Sequence, residues 1–588
     1  MRILVSAIAL PALVLVVGCS SSERGSTEKG GADGGGVSGN GNGATSGIGG
    51  ESGGSGGGSG GAQGGSGATS NGGSGATSNG GNAGMSGNAG NGGDGNGGSS
   101  GSAGTGGTAS ATDGGTASGP TVGDYVGVNG LITDSLAMLA PIGVVREYHN
   151  WGWLGNNYND QAYPQTLYTP NIPDFDWDWD GFFAGLKAMG ASGFPAVQGA
   201  APWVNGGNLP PADGSPTAAA SYIAHGDTMF QIAARWGKTK VDDAKLKLES
   251  GQTRSSGLGT VDYFEDFNEQ DNVSGFTGDV FAAMASADYD GDQNRLGTTI
   301  GVKNADPSAK LVMGGLSGAY GGGESWVDSI TKFLDAARAW SASNRGGSFP
   351  ADVVNVHYYS FGKGAPAPAL SPEDDGVETK LAAVVAYRDA HLPGKPVWWT
   401  EFGYDTTQNS PLHAPALGQN SAFVVQGQWL VRELLAGIAA GVDRATLFEL
   451  DDTCTPPESA CDGQFATSGL LTHPDSKPKA AWFFVATFRS RLLTMTFTGE
   501  QSSGAPDVKV YAFQDTKKSG GALVVWAPTS NATVHAKYSL ALPSGAASVT
   551  AVALADQQQN GVETKLTPAS GAVTLDVSET PTIVLYAP

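Results

Sequence analysis

The segment Val-Asp-Tyr-Phe-Glu-Asp-Phe-Asn-Glu (261–269) is an apolar and aromatic run that ends on a carboxylate, Glu269. A second run, Lys-Pro-Val-Trp-Trp-Thr-Glu-Phe-Gly-Tyr (395–404), carries Glu401 directly after its apolar part. Each pattern is typical of a buried β-strand with an acidic residue at its carboxyl end. The active site of a parallel barrel is built at the carboxyl ends of its strands, so these two acids are expected to face each other across one cleft.

The chain around these two segments repeats a short apolar run followed by a segment of helical period. The candidate strands are Tyr125–Asn129, Gly143–Tyr148, Gly193–Gly199, Val261–Asn268, Ala309–Gly315, Val353–Tyr358, Pro396–Phe402 and Arg444–Leu450. The helical segments include Gly181–Met189, Ala218–Trp236, Trp326–Trp340, Val377–His391, Ser421–Ala440 and Lys479–Leu492. Such alternation indicates βα units around a parallel sheet. Eight candidate strands predict a (β/α)8 TIM barrel over residues 121–492.

The pattern changes after about residue 492, where period-two runs follow one another without helices. The runs are Val508–Gln514, Ala522–Ala527, Ala536–Leu542, Ser548–Ala553, Glu563–Leu566, Val573–Val577 and Thr582–Tyr586. Seven such strands predict a C-terminal antiparallel β-sandwich over residues 493–588. We expect this domain to cover one side of the barrel, and whether it also binds carbohydrate stays open.

The N-terminus has the layout of an export signal. Arg2 precedes an apolar stretch from Ile3 to Val17, which is followed by Gly18-Cys19-Ser20. The stretch is too short to span a bilayer in the mature protein. It resembles the lipobox of bacterial lipoproteins, which implies a signal-peptide segment at 1–19 whose Cys19 is retained as the lipidated N-terminus of the mature protein. The alternative is an ordinary signal peptide with an incidental cysteine.

Residues 20–120 consist almost entirely of Gly, Ser, Asn, Ala and Thr, and the unit Gly-Gly-Ser-Gly-Ala-Thr-Ser-Asn (64–71) recurs at 72–79. Such a composition cannot bury a core, so we expect a disordered tether with a reach of roughly 50–60 Å. With the lipid at Cys19, it predicts an exported, membrane-anchored protein. Ser20 after the cysteine resembles the sorting pattern for the outer membrane or cell surface.

The net charge of the chain limits the classes of macromolecule that it could bind. The net charge of −23, from 32 basic and 55 acidic residues, disfavours binding to nucleic acid or to an anionic membrane surface. We therefore expect membrane contact through the lipid anchor alone, and a monomer.

Cys454 and Cys461 are close enough in the sequence to form a disulfide, and no metal centre is expected. Residues 288–294 resemble the start of a calcium-binding loop, so a structural calcium ion is the one cofactor that remains possible. The alternative is a polar loop without an ion.

The two glutamates resemble the catalytic pair of the clan A glycoside hydrolases. These are (β/α)8 retaining enzymes in which an acid/base follows an asparagine on strand four and a nucleophile ends strand seven, as do Asn268-Glu269 and Glu401 here. The resemblance implies that Asn268 binds the sugar 2-hydroxyl. Glu265 shares a face with Glu269 by period two, so we expect it one layer deeper and paired with a base such as Arg146.

The resemblance also implies the neighbours of the nucleophile, and exposed indole rings on the loops after strands two and three could contact the apolar face of a sugar. Arg146 would hold Glu401 ionised unless it forms a purely structural ion pair, and Tyr359 in Val-His-Tyr-Tyr (356–359) would donate to it. The further residues predicted to contact substrate are His149, Trp151, Trp203, His357 and Glu449. Strand eight departs from the clan, because Leu-Phe-Glu-Leu-Asp-Asp (447–452) lacks the usual tryptophan and leaves Phe448, Glu449 or Asp451 in its place.

These residues together predict a retaining glycoside hydrolase, endo-acting on a β-linked polysaccharide or oligosaccharide. Two alternatives remain open at this point. One is an exo-acting β-glycosidase of the same clan, distinguished by loops that block one end of the cleft. The other is a surface glycan-binding lipoprotein on a barrel that has lost catalysis.

Overall fold

The computed structural model describes residues 119–151, 161–173, 176–320, 323–364, 366–453, 461–515, 517 and 519–588. All of them belong to one compact unit, residues 114–588. The predicted signal peptide, nearly all of the predicted tether, and both Cys19 and Cys454 lie outside the described residues.

The apolar runs of the sequence form a parallel barrel. Its strands are β1 (Val126–Gly130), β2 (Val144–Asn150), β3 (Ser192–Gln198), β4 (Tyr263–Glu265), β5 (Lys310–Val312), β6 (Val354–His357), β7 (Val397–Glu401) and β8 (Arg444–Leu447). They pair in the order β5-β4-β3-β2-β1-β8-β7-β6. Isolated parallel bridges from Val312 to Val353 and from Leu316 to Val356 join the two outer strands and nearly close the barrel. The predicted (β/α)8 architecture is confirmed.

Helices connect the strands and cover the outside of the barrel. The longer ones are α1 (Trp179–Ala188), α2 (Ile223–Trp236), α3 (Gly278–Asp290), α4 (Trp326–Asn344), α5 (Val377–His391), α6 (Ala422–Ala440) and α7 (Ala480–Leu492). The unit after β1 has only the single turn Leu136–Leu139. Within the described part of the chain, no helix combines the length and the apolar character needed to cross a membrane.

The C-terminal residues form antiparallel sheets, as predicted. The strands are β9 (Met495–Gln501), β10 (Lys509–Asp515), β11 (Gly521–Trp526), β12 (Val534–Ala541), β13 (Ser548–Ala555), β14 (Gln558–Leu566), β15 (Ala572–Ser578) and β16 (Thr582–Ala587). Six of them pair in the order β9-β10-β11-β16-β13-β14, and β12 pairs with β15. The sequence predicts seven strands, and β9 is the one it misses. A register shift between Phe497 and Gly499 interrupts the alternation on β9.

The alternation along β10 explains how this region packs. Tyr511 and Phe513 belong to the hydrophobic core of the barrel. Val510 and Ala512, on the opposite face, belong to a separate cluster that includes Val573 of β15. One face of the six-stranded sheet therefore covers the barrel, while the other packs on the β12–β15 pair as in a sandwich.

Candidate active site

The carboxyl ends of β4, β6 and β7 bring three titratable side chains together. A carboxylate oxygen of Glu269, one of Glu401 and a ring nitrogen of His357 all lie within 4.8 Å of one another. His357 Nδ1 is 3.0 Å from Glu269 Oε1 and 3.4 Å from Glu401 Oε2. Among the described residues, these three are also the one His, Cys, Asp or Glu group that could converge on a metal ion.

Arg146, on β2, organises the floor of this cluster. Its guanidinium makes five hydrogen bonds, which equals its number of N–H donors. Nε and Nη2 donate to the two carboxylate oxygens of Glu265 at 2.6 and 2.9 Å. Nη1 donates to Glu401 Oε1 at 2.9 Å and to Asn129 Oδ1 at 2.9 Å, and Nη2 also donates to Asn268 Oδ1 at 2.7 Å. The expectation of a fully buried Glu265 paired with Arg146 is confirmed.

Glu401 is surrounded by donors that favour its charged form. Tyr148 Oη donates to Oε1 at 2.5 Å, and Tyr359 Oη donates to Oε2 at 3.0 Å. Burial disfavours the charge, but His357, Arg146 and the two tyrosine hydroxyls outweigh it and lower the pKa of Glu401 below its ordinary value. The carboxyl group is therefore ionised at neutral pH.

Glu269 has the opposite electrostatic environment. Burial is the largest influence on its carboxyl group and raises its pKa, and the nearby charges of Glu401 and Asp271 act in the same direction. The hydrogen bond with His357 opposes this rise without cancelling it. Its backbone is left-handed, with φ of 47°, a conformation that costs a non-glycine residue energy and is concentrated at functional sites.

The arrangement thus holds a carboxyl group with a raised pKa beside one with a lowered pKa, with an oxygen of each within 4.8 Å of the other. Two carboxyl groups about 5–5.5 Å apart can act as acid/base and nucleophile, whereas a water-activating pair needs roughly 6.5–9.5 Å. The distance leaves no room for a water molecule held between carboxyl groups on opposite faces of a sugar ring. Chemically, the site suits a double displacement.

Asn268 lies beside Glu269 and is partly exposed. Its Oδ1 accepts from Arg146, so its amide Nδ2 is the atom left to donate to a ligand. The hydrogen bond therefore leaves the amide nitrogen as the donor of this side chain, as an amide that donates to a sugar hydroxyl requires.

The structure does not bring His149 or Trp151 to the cleft. His149 is fully buried, with Nδ1 on Glu147 and its ring between Trp179 and Trp236. Because side chains alternate along β2, Arg146 and Tyr148 point into the barrel, and His149 must point away from it. Trp151 is also fully buried. The two predicted substrate contacts are therefore corrected to core positions.

Trp203 differs from Trp151, against whose ring it packs at 5.7 Å between centroids. It is partly exposed on the segment that follows β3. Of these two predicted aromatic contacts, Trp203 alone has a surface that a ligand could reach.

Strand eight ends in two side chains at the cleft. Phe448 is partly exposed, and its ring lies 6.3 Å from that of Tyr148 and 6.4 Å from that of Tyr359. Glu449 is 6% exposed, and its Oε1 has no hydrogen-bond partner among the described residues. Burial, followed by the charges of Asp134 and Glu401, raises the pKa of Glu449 well above its ordinary value.

Tyr148 is the site residue that sequence reasoning missed. It stands two positions after Arg146 on β2, so the period-two rule places both side chains in the barrel interior. This two-residue spacing from Arg146 is the sequence feature that could have identified Tyr148. The same rule that excludes His149 would have selected Tyr148.

The acidic residues of the partial calcium motif bind protein donors. Asp288 lies on α3 and contacts His225 at 2.9 Å. Asp290 binds Arg345, and Asp292 accepts from Ser286. Calcium at this loop therefore stays a prediction. Of the two predicted disulfide cysteines, Cys461 is disulfide-bonded, and Cys454 lies outside the described residues.

No protein-family model and no curated protein matches the sequence. Solved structures do match the fold. A family 39 glycoside hydrolase from the gut symbiont Bacteroides cellulosilyticus WH2 aligns with a TM-score of 0.50 at 15% identity, over 77% of this chain and 76% of that one. A family 30 endoxylanase from Clostridium papyrosolvens C71 aligns with a TM-score of 0.49 at 10% identity, over 80% of this chain and 98% of that one. The chain thus shares its fold with the family 39 glycoside hydrolase.

Proposed function

We propose that the protein is a retaining glycoside hydrolase, with Glu269 as acid/base and Glu401 as nucleophile. The observation that carries the proposal is the pair of carboxyl groups within 4.8 Å, one with a raised and one with a lowered pKa. Opposed pKa shifts in one cleft are how enzymes divide acid and nucleophile roles between like residues. The fold shared with a glycoside hydrolase agrees with the proposal.

The first step would transfer the sugar to the enzyme. Glu401 attacks the anomeric carbon while the proton of Glu269 passes to the glycosidic oxygen, which leaves as an alcohol. The hydroxyls of Tyr148 and Tyr359 hold the attacking carboxylate in place. Asn268 donates to the 2-hydroxyl of the bound sugar, a contact that strengthens in the oxocarbenium-like transition state.

The second step would release the sugar with retained configuration. Glu269, now ionised, takes a proton from water, and the water oxygen displaces Glu401 from the anomeric carbon. Arg146 stabilises the returning carboxylate, to which Nη1 already donates in the free protein. His357 lies against both carboxyl groups and keeps them within reach of the same carbon.

We infer further that the substrate is a β-linked polysaccharide cleaved internally, bound by Trp203 and Glu449 in addition to these residues. Incubation with β-glucans, xylans, galactans and algal polysaccharides tests this. A ladder of oligosaccharide products from one of them is expected. Release of a single small sugar would identify exo action, and binding without hydrolysis would identify a glycan-binding protein.

The pH dependence of kcat/KM should be bell-shaped. Activity requires an ionised Glu401, so the acidic limb should fall below the ordinary glutamate pKa of 4.5. It also requires a protonated Glu269, so the alkaline limb should lie above that value. Profiles of the wild type and of Glu269→Ala on an activated aryl glycoside test the assignment. Glu269→Ala should lose the alkaline limb, and an unchanged limb would mean that another group is the acid.

We also propose that Cys19 anchors the protein through a lipid and that residues 20–120 act as a tether, as the sequence predicts. Cys19→Ser should move the protein from the membrane fraction to the soluble fraction without changing activity on a soluble substrate. Ser22→Ala serves as the matched control, because it alters the same segment and keeps the thiol. Membrane retention of Cys19→Ser would show that the anchor lies elsewhere.

A further inference from the structure

Phe465, in the segment between β8 and α7, has an unusual backbone. Its φ is 70°, and it is the one aromatic residue with positive φ in the described part of the chain. The left-handed region is costly for bulky residues and marks a constraint imposed by the surroundings. Because an aromatic residue occupies this costly conformation, we expect its ring to have a role at that position.

Asp405, after β7, supplies that constraint. It is fully buried, and its Oδ2 accepts from the backbone N–H of Phe465 at 2.8 Å and from Ser410 Oγ. Its Oδ1 accepts from the backbone N–H of Thr467 at 2.9 Å. The segment is also tied from the other side, because Lys479 Nζ donates to the carbonyl oxygen of Thr467 at 3.0 Å. These contacts fix the backbone at Phe465 and at Thr467, two residues after it.

The ring lies at the candidate active site. It is 4.9 Å between centroids from Tyr359, which donates to Glu401, and 5.4 Å from Phe448. Both phenylalanines are partly exposed, and neither belongs to the hydrophobic core. Packing of the core therefore does not account for them.

We propose that Phe465 is a substrate-binding, specificity-determining residue whose ring, with that of Phe448, contacts the apolar C–H face of the sugar beside Glu401. Asp405 is the positioning residue that holds it there. This inference rests on the proposed function. Aromatic rings match the C–H face of a pyranose that carries its hydroxyls equatorially, so the ring favours such sugars over those with an axial hydroxyl on that face.

The test uses whichever polysaccharide of the panel the wild-type enzyme hydrolyses, with its oligosaccharides. Phe465→Ala should lower kcat/KM about 10- to 100-fold, chiefly through KM, as expected for loss of an aromatic contact. Phe465→Tyr keeps the ring and should stay within about threefold of the wild type. Met189→Ala, which removes an apolar side chain that is 51% exposed at the end of α1, is the matched control and should leave kcat/KM unchanged.

Melting temperatures show whether a substitution at Phe465 acts on substrate binding or on the stability of the fold. Phe465→Gly removes the ring and the cost of positive φ together, whereas Phe465→Ala keeps the cost. The glycine variant should therefore melt about 1–2 °C above the alanine variant while sharing its low activity.

Unchanged kcat/KM in Phe465→Ala, with an inactive Glu401→Gln, would overturn this inference and leave the proposed function intact. Equal melting temperatures of the glycine and alanine variants would show that the backbone at Phe465 is not strained. A wild-type protein that hydrolyses no member of the panel would overturn the proposed function and this inference with it.

Discussion

Glu401→Ala is expected to lower kcat by about 10⁴-fold or more on every substrate, because no other group can form the covalent bond to the anomeric carbon. The loss should be independent of the leaving group, since both activated and unactivated glycosides need the nucleophile. Steady-state rates on an aryl glycoside and on a polysaccharide measure it. Retention of more than about 1% of the wild-type rate on either substrate would rule out Glu401 as the nucleophile.

The fold should survive this substitution. Arg146 keeps both oxygens of Glu265 and the contacts to Asn129 and Asn268 when Glu401 is removed, so its buried charge remains paired. Glu401→Gln keeps the shape of the side chain and is the matched control. Both variants should be inactive, and the glutamine variant should melt within a few degrees of the wild type.

Glu269→Ala is expected to fail differently. On a polysaccharide, whose leaving alcohol needs a proton, kcat should fall about 10²- to 10⁴-fold. On an activated aryl glycoside the first step should persist, because that leaving group needs little protonation, and the enzyme should then stall before deglycosylation. A burst of aryl alcohol followed by a slow steady state is the expected time course.

Added azide distinguishes the two glutamates. In Glu269→Ala, azide attacks the glycosyl-enzyme without general-base help and should give a glycosyl azide of retained configuration. In Glu401→Ala, azide occupies the place of the missing carboxylate and should give an azide of inverted configuration. The reverse pattern, read by proton NMR of the products, would show that the roles are exchanged.

The barrel was predictable because buried parallel strands leave a strong signal. All five residues of β1 and of β7 are buried, and the apolar Val397, Trp398 and Trp399 of β7 mark it in the sequence as a buried strand. The period-two rule then placed Glu265 below Glu269, as the structure has it. Clan resemblance added Arg146 and Tyr359, which the structure brings into contact with Glu401.

The features that the sequence did not reveal are those that depend on how a residue is buried by other parts of the fold. Helix α3 has no clear helical period in the sequence, because it is buried on nearly every side and so lacks the polar face that marks an amphipathic helix. Trp151 was expected in the cleft because an exposed and a buried tryptophan look alike in sequence. The left-handed backbone of Phe465 depends on hydrogen bonds to Asp405, sixty residues earlier, which no local pattern reveals.

A covalent bond between Glu401 and the sugar can be detected directly. Glu269→Ala, stalled on an activated aryl glycoside, is quenched with acid and digested, and its peptides are analysed by mass spectrometry. One glycosylated peptide is expected, with the added sugar mass on Glu401. Sugar attached to any other residue, or a burst of aryl alcohol with no labelled peptide, would contradict it.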